Sequence, residues 1–217
     1  MATVFFVRHG ETTANAEGIL QGQSDFPLSA AGRRQAACLA SRLAGKSFDV
    51  LFTSDLSRAL DTAEMIAAGR PVICTPLLRE WGFGDWQGRK IEDLRREFPR
   101  EFGLFAADSP LFVPPGGESA AAFRARAAEV LKRLAAEHAG ETLLCVTHGG
   151  LLKQMLKLVL NAEKPPLLPV CGNASLSCFR LVRGLWQLVF WNDCSHLPED
   201  APKAAASSSA AVRELAL

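Results

Sequence analysis

Hydrophobic positions along this chain switch between continuous runs and helical spacing, and the switches mark its elements. Thr3-Val4-Phe5-Phe6-Val7 is apolar, β-branched and aromatic, and Gly10 closes it with a turn. It predicts a buried strand with Arg8 and His9 at its carboxyl end. A second run, Thr142-Leu143-Leu144-Cys145-Val146-Thr147, ends the same way in His148-Gly149-Gly150. Val50-Leu51-Phe52-Thr53 and Val72-Ile73-Cys74 read as shorter strands. Ser175 to Val182 and Leu185 to Trp191 predict a hairpin turning at Arg183-Gly184.

Helical spacing fills the intervals. Ala36, Leu39, Ala40 and Leu43 follow an N-cap at Ser29 and stop at Gly45. Leu56, Ala59, Leu60, Ala63, Ile66 and Ala67 form one stripe, with Ser54 or Asp55 as cap. Ile91, Leu94 and Phe98 share a face. A long amphipathic helix follows Gly116-Gly117-Glu118-Ser119, with Phe123, Ala127, Val130, Leu131 and Leu134 on its buried side, and another runs from Gly149 to Leu160. Three stretches read as irregular: Asn15 to Phe26, Leu77 to Gly88, and Phe102 to Pro115. In the last, Phe105, Leu111, Phe112 and Val113 are either a lid over a pocket or ordinary packing.

Strands alternating with helices give an α/β fold, a three-layer α/β/α sandwich whose sheet is mostly parallel with an antiparallel edge strand. The expected organisation is a single domain over 1–200, with a small cap region at about 82–118. Residues 201–217 form an Ala/Ser-rich C-terminal tail, expected to be mobile or loosely docked.

Composition narrows the function. A chain of 217 residues can bury a sizeable core as one domain. A net charge of +1 provides no global pull toward nucleic acid or membrane, so neither is an expected partner. The six cysteines are scattered without a C-x-x-C pair, which argues against a zinc site or disulfide framework. The apolar N-terminus is too short for a secretory signal, and lysines interrupt the apolar stretch near 151–160. A cytoplasmic protein is expected.

The chemistry sits at strand ends. Ligands collect at the carboxyl edge of open α/β sheets. A guanidinium beside an imidazole there points to anion binding joined to nucleophilic or acid-base chemistry. Two strand–His–Gly units could bring both imidazoles to one edge. Arg58, off its helix's apolar stripe in the first turn, reads by itself as a solvated charge.

Arg8-His9-Gly10-Glu11-Thr12, with Asn15 beyond, resembles the signature of the histidine phosphatase superfamily, in its phosphoglycerate-mutase-like branch. The resemblance continues through Thr53-Ser54-Asp55-Leu56-Ser57-Arg58-Ala59, Leu78-Arg79-Glu80 and Thr147-His148-Gly149, and spans residues 3 to 197. It implies a phosphoglycerate mutase-like fold and a metal-independent phosphomonoesterase for small phosphorylated metabolites, needing no cofactor. On this resemblance His9 is the nucleophile that becomes a phosphohistidine, and Arg8, Arg58 and a protonated or donating His148 bind the phosphoryl oxygens. Glu80 is the proton donor, with Asp85 and Glu11 as rivals. Asn15, Gln21 and Gly22 match substrate-contacting loop positions, Thr12 is expected to donate a hydrogen bond to substrate as well, and the Gly149 N–H at a helix start adds a donor. His196, in Asp193-Cys194-Ser195-His196, resembles part of a C-terminal segment of small phosphatases, and packing is its expected role. His138, ending a helix, is expected to be solvated. A homodimer stays open.

Within the family, a phosphoglycerate mutase is the first alternative. Phe83-Gly84-Asp85-Trp86-Gln87-Gly88-Arg89-Lys90-Ile91 departs from the mutases' pattern by placing Ile91 where a lysine falls, whereas Pro114-Pro115-Gly116-Gly117-Glu118-Ser119 is similar to small phosphatases. α-Ribazole phosphatases and sugar-bisphosphatases are similar too. A metal-dependent hydrolase using His9, His148 and His196, and a non-catalytic phosphoprotein-binding module, are the rivals outside that chemistry.

Overall fold

In the computed structural model, which describes residues 1–162 and 171–198, the N-terminal apolar run is strand β1 (Ala2–Arg8). Helices α1 (Thr13–Ala16) and α2 (Ala30–Leu43) follow, then strand β2 (Val50–Thr53), helix α3 (Ser57–Ala67) and the two-residue strand β3 (Ile73–Cys74). Next come α4 (Ile91–Glu97), α5 (Pro99–Ala106) and α6 (Ala120–Glu137), then β4 (Thr142–Thr147) and α7 (Gly149–Val159). The hairpin β5 (Leu176–Val182) and β6 (Leu185–Asp193) ends the described chain.

The strands form one sheet in the order β3-β2-β4-β1-β5-β6. β1 pairs parallel to β4, and β2 pairs parallel to both β3 and β4, while β5 runs antiparallel to β1 and to β6. The strand that opposes its neighbours is therefore β5, one in from the edge rather than the edge itself. A two-residue hairpin turn can only reverse the chain, so β6 regains the direction of β1.

Alternation along the central strands makes the three layers. Val4 and Phe6 of β1 and Leu143 and Cys145 of β4 pack into a core with α6 and α7 residues such as Phe123, Leu131, Leu151 and Met155. Val7, Leu144 and Val146 face the other way, against Leu39, Leu43, Ala59, Ala63 and Ile66 of α2 and α3. With helices on both faces, both sets of side chains are buried, which is why these strands read as continuous apolar runs. Each such large side chain contributes about 1.5–3 kcal/mol on burial. Polar chemistry is left to the strand ends.

Three local expectations change. The stretch read as irregular from Phe102 begins inside α5, because Pro99 sits at a helix start, where its missing N–H costs nothing, and Phe102 and Phe105 share a face. Within Asn15 to Phe26, the first residues belong to α1, closed by a capping box between Thr12 and Asn15. Neither Ser54 nor Asp55 caps α3 at its N-cap position, which is Leu56 without a side-chain bond. The Ser29 cap on α2 is present, with Oγ accepting from the Gly32 N–H at 3.0 Å.

Over the segment 82–118, Phe83, Trp86, Phe105 and Phe112 pack ring on ring, joined by Trp81 to Phe123 of α6. Phe105 and Phe112 are thus part of the core, while Leu111 and Val113 are exposed. No described helix is long and apolar enough to cross a membrane. The 201–217 tail lies outside the described residues.

Candidate active site

The parallel register sets Arg8 of β1 beside Thr147 of β4, so the next residues, His9 and His148, emerge side by side. The His9 N–H donates to the Thr147 carbonyl at 3.0 Å, and the imidazole centroids are 5.1 Å apart. Both rings are buried. After His9 the chain turns hard against the start of α2: a Cβ on Gly10 would come within 2.6 Å of the Gly32 carbonyl oxygen.

The tautomer of His9 follows from its contact. Nδ1 lies 2.7 Å from the Gly10 carbonyl oxygen, an acceptor only, so Nδ1 carries the hydrogen and Nε2 keeps its lone pair. Burial, then the positive charges of Arg58 and Arg8, push the His9 pKa well below its ordinary value, so the ring is neutral. Burial first, then charge at Arg58, His9, Arg8 and Arg126, pushes His148 down in the same direction. Of the two forms expected of His148, this environment favours the neutral, hydrogen-bonding one. Its Nε2 meets the Ser54 hydroxyl at 2.9 Å.

Two guanidiniums close the cradle. Arg58 is buried, not solvated: Nη2 donates to the Gly22 carbonyl at 2.6 Å and Nη1 to the Ser24 carbonyl at 2.9 Å. Arg8 Nη1 donates to the Cys171 carbonyl. Burial lowers both, Arg58 to about 10, and both remain cationic at neutral pH. Among the described residues four buried side-chain polar atoms lack a partner, and three of them are Arg8 Nε, Arg58 Nε and His148 Nδ1. An unsatisfied buried donor costs about 1–3 kcal/mol, more when charged. A tetrahedral dianion is the kind of ligand that offsets this cost, by supplying several oxygens to converging donors.

Glu80 reaches the same place from the loop after β3. Its Oε1 accepts from the Trp81 N–H at 2.8 Å and its Oε2 from the Gly150 N–H at 2.9 Å. Its charge acts on both Arg8 and Arg58. A side chain on Gly150 would collide with the Glu80 carboxylate. Gly149 instead faces the Arg8 guanidinium, 3.3 Å from where its Cβ would be to Nε.

Of the rival carboxylates, one is engaged and the other is exposed. Glu11 accepts from the Ser29 hydroxyl at 2.7 Å, and Asp85 is exposed beside Gly116. Thr12, expected to donate to substrate, is fully buried. Its hydroxyl accepts from the Asn15 N–H at 3.0 Å and meets Gln21 Oε1 at 2.9 Å, so local capping consumes it. Asn15 Oδ1 accepts from Thr12 N–H and from Asn173 Nδ2. Gly22 supplies the carbonyl that aims Arg58. His196 bridges the Ala174 carbonyl and Arg42, and His138 is not solvated: it packs edge-on to Phe52 and pairs with Glu141.

Several supporting residues carried no signal in the sequence. Thr62 accepts from the Gly10 N–H at 3.1 Å, and Asn173 Nδ2 donates to the His9 carbonyl at 3.1 Å. Arg126 of α6 binds the Glu80 carbonyl at 2.9 Å. Ser54 stood out as a cap and within a matching segment, with no role at the site. Among the described residues no group of three or more His, Cys, Asp or Glu side chains could hold a metal ion.

Known proteins share this arrangement's sequence and fold. The metal-independent phosphoserine phosphatase of Arabidopsis thaliana is 36% identical over 199 residues, covering 89% of this chain and 82% of its own length. The adenosylcobalamin/alpha-ribazole phosphatase of Escherichia coli (strain K12) is 32% identical over 188 residues, covering 86% and 88%. Among solved structures, Bacillus stearothermophilus YhfR superimposes with a TM-score of 0.85 at 33% identity, over 90% of this chain and 99% of its own. The family model of the histidine phosphatase superfamily (branch 1) matches residues 4–194, nearly all of the described chain, and the protein belongs to that family.

Proposed function

We propose that this protein is a metal-independent phosphomonoesterase that hydrolyses small phosphorylated metabolites through a phosphohistidine on His9, with Glu80 as proton donor. The observation that carries this reading is the bare Nε2 of a neutral His9 set among three buried, unpartnered polar atoms on Arg8, Arg58 and His148. The similarity to phosphatases of phosphoserine and alpha-ribazole supports the class of ester.

The geometry supports the following steps. A phosphate dianion repels a nucleophile until its oxygens are neutralised, and Arg8 and Arg58 supply that charge from fixed positions. With the Ser54 hydroxyl donating to His148 Nε2, Nδ1 carries its hydrogen and offers it to a phosphoryl oxygen. His9 Nε2 attacks phosphorus in line, and the bond to the leaving oxygen breaks as Glu80 gives that oxygen a proton. Glu80, now a carboxylate, takes a proton from the water that cleaves the phosphohistidine, which returns both residues to their starting state.

The test is phosphate release from p-nitrophenyl phosphate and a metabolite panel in excess chelator, with His9→Ala as the blank. Turnover that survives chelation and vanishes in the variant is expected. No release from any ester, or release only with added metal, would overturn the reading; isomerisation of 3-phosphoglycerate would then be assayed.

A further inference from the structure

Glu80 sits on an irregular loop, yet a general acid needs a fixed position to be effective. What holds that loop comes from α6. Arg126 donates through Nη1 to the carbonyls of Leu77 at 3.1 Å and Arg79 at 2.6 Å, and through Nη2 to that of Glu80 at 2.9 Å. Its Nε and the second Nη2 hydrogen go to the two oxygens of Glu118, at 3.0 and 2.8 Å. All five guanidinium donors are engaged, and the Phe123 ring lies 4.9 Å beneath. Glu118 grips the far side of the same loop: its N–H donates to Gly82 and its carbonyl accepts from the Trp81 indole, both at 2.7 Å.

We propose that Arg126, braced by Glu118, is the positioning residue for proton transfer: it fixes the Leu77–Gly82 backbone so that the Glu80 carboxyl stands against Gly150 at the phosphoryl site. The inference rests on the assignment of Glu80 as acid. Arg126 holds three acceptors of the loop, at Leu77, Arg79 and Glu80, and makes no hydrogen bond to His9 or His148; its charge reaches His148 through space, a route that lysine preserves while losing the fork to the loop. Lysine keeps the charge but cannot reproduce the planar fork.

The experiment compares kcat/KM for an alkyl phosphate, whose leaving oxygen needs a proton, with p-nitrophenyl phosphate, whose anion leaves unaided. This ratio reports only the steps through phosphoryl transfer to His9. Arg126→Gln is expected to lower the alkyl value by ~10²-fold, within the range a placed general acid supplies, and the aryl value by about tenfold less. Arg126→Lys should show the same bias. In a Glu80→Gln background, Arg126→Gln should leave the alkyl-to-aryl ratio unchanged. Equal losses on both esters, rescue by lysine, or a further change of ratio in the Glu80→Gln background would overturn the proposal. Absence of any bias in Glu80→Gln alone would instead overturn the acid assignment. If the Arg126 variants do not fold, Glu118→Gln carries the same comparison.

Discussion

His9 and His148 lie with their ring centroids 5.1 Å apart because β1 and β4 are neighbours in parallel register. Each ring is buried and neutral, and two cationic guanidiniums press on both. The site therefore concentrates positive charge and desolvated donors at one place, which suits an anion.

That arrangement predicts linkage between anion, stability and protons. Sulfate, dianionic across the useful pH range, should raise Tm, by the equivalent of about 2.7 kcal/mol at a hundred times its Kd. Because the anion relieves the charges that hold His148 neutral, binding near neutral pH should take up protons. Calorimetry in buffers of different ionisation enthalpy measures the uptake. Arg58→Met should lose most of the sulfate stabilisation and ~10²–10³-fold in kcat/KM.

Acid stability follows from the same two rings. In the unfolded chain each histidine protonates below its ordinary value of 6.5, whereas in the fold burial keeps it neutral well below that. The unfolded state then binds more protons, so stability is fully present above pH 6.5 and falls as pH drops below it, by about 1.4 kcal/mol per pH unit for each histidine. Denaturant midpoints between pH 7 and 5 should show this slope, and His9→Gln should remove roughly one histidine's share of it.

Gly150 separates folding from chemistry. It lies in α7, where alanine is intrinsically better than glycine by up to about 1 kcal/mol. Its place beside Glu80 leaves no room for a methyl group. Gly150→Ala should keep the fold while displacing the carboxyl, with a loss of kcat/KM that is greatest on alkyl phosphates. An unchanged ratio between alkyl and aryl esters would contradict this.

Thr12 makes the opposite case. Its hydroxyl closes α1 rather than facing a ligand, so Thr12→Ala should cost about 1 kcal/mol of stability, the usual worth of such a cap, and leave KM near that of the parent. Denaturation and steady-state kinetics on one variant decide it.

How far the sequence revealed the site depended on where each residue's environment was encoded. His9 and His148 were legible because uninterrupted apolar runs announce strands covered on both faces, and a glycine after each histidine marks the strand's end. Arg58 was legible only through resemblance. A cation off the apolar stripe of a helix looks solvated, and what buries Arg58 is a set of carbonyls, at Gly22 and Ser24, more than thirty residues earlier in the chain. Arg126 follows no period and matches no quoted motif, and Glu118 lies in the quoted Pro114–Ser119 segment without any sign of its role, because the partners of both include backbone atoms of the loop that carries Glu80. Helix α5 was half hidden, since two turns that begin at a proline and hold only Phe102 and Phe105 as aromatic positions resemble a loop until the core they face is known.

The most direct measurement of the central claim is rapid-quench trapping of the enzyme during turnover of a ³²P-labelled ester. The account predicts an acid-labile, base-stable phosphoryl group on His9, formed no more slowly than kcat and absent from His9→Ala. Steady turnover with no label at any quench time, or a label on another residue, would contradict it.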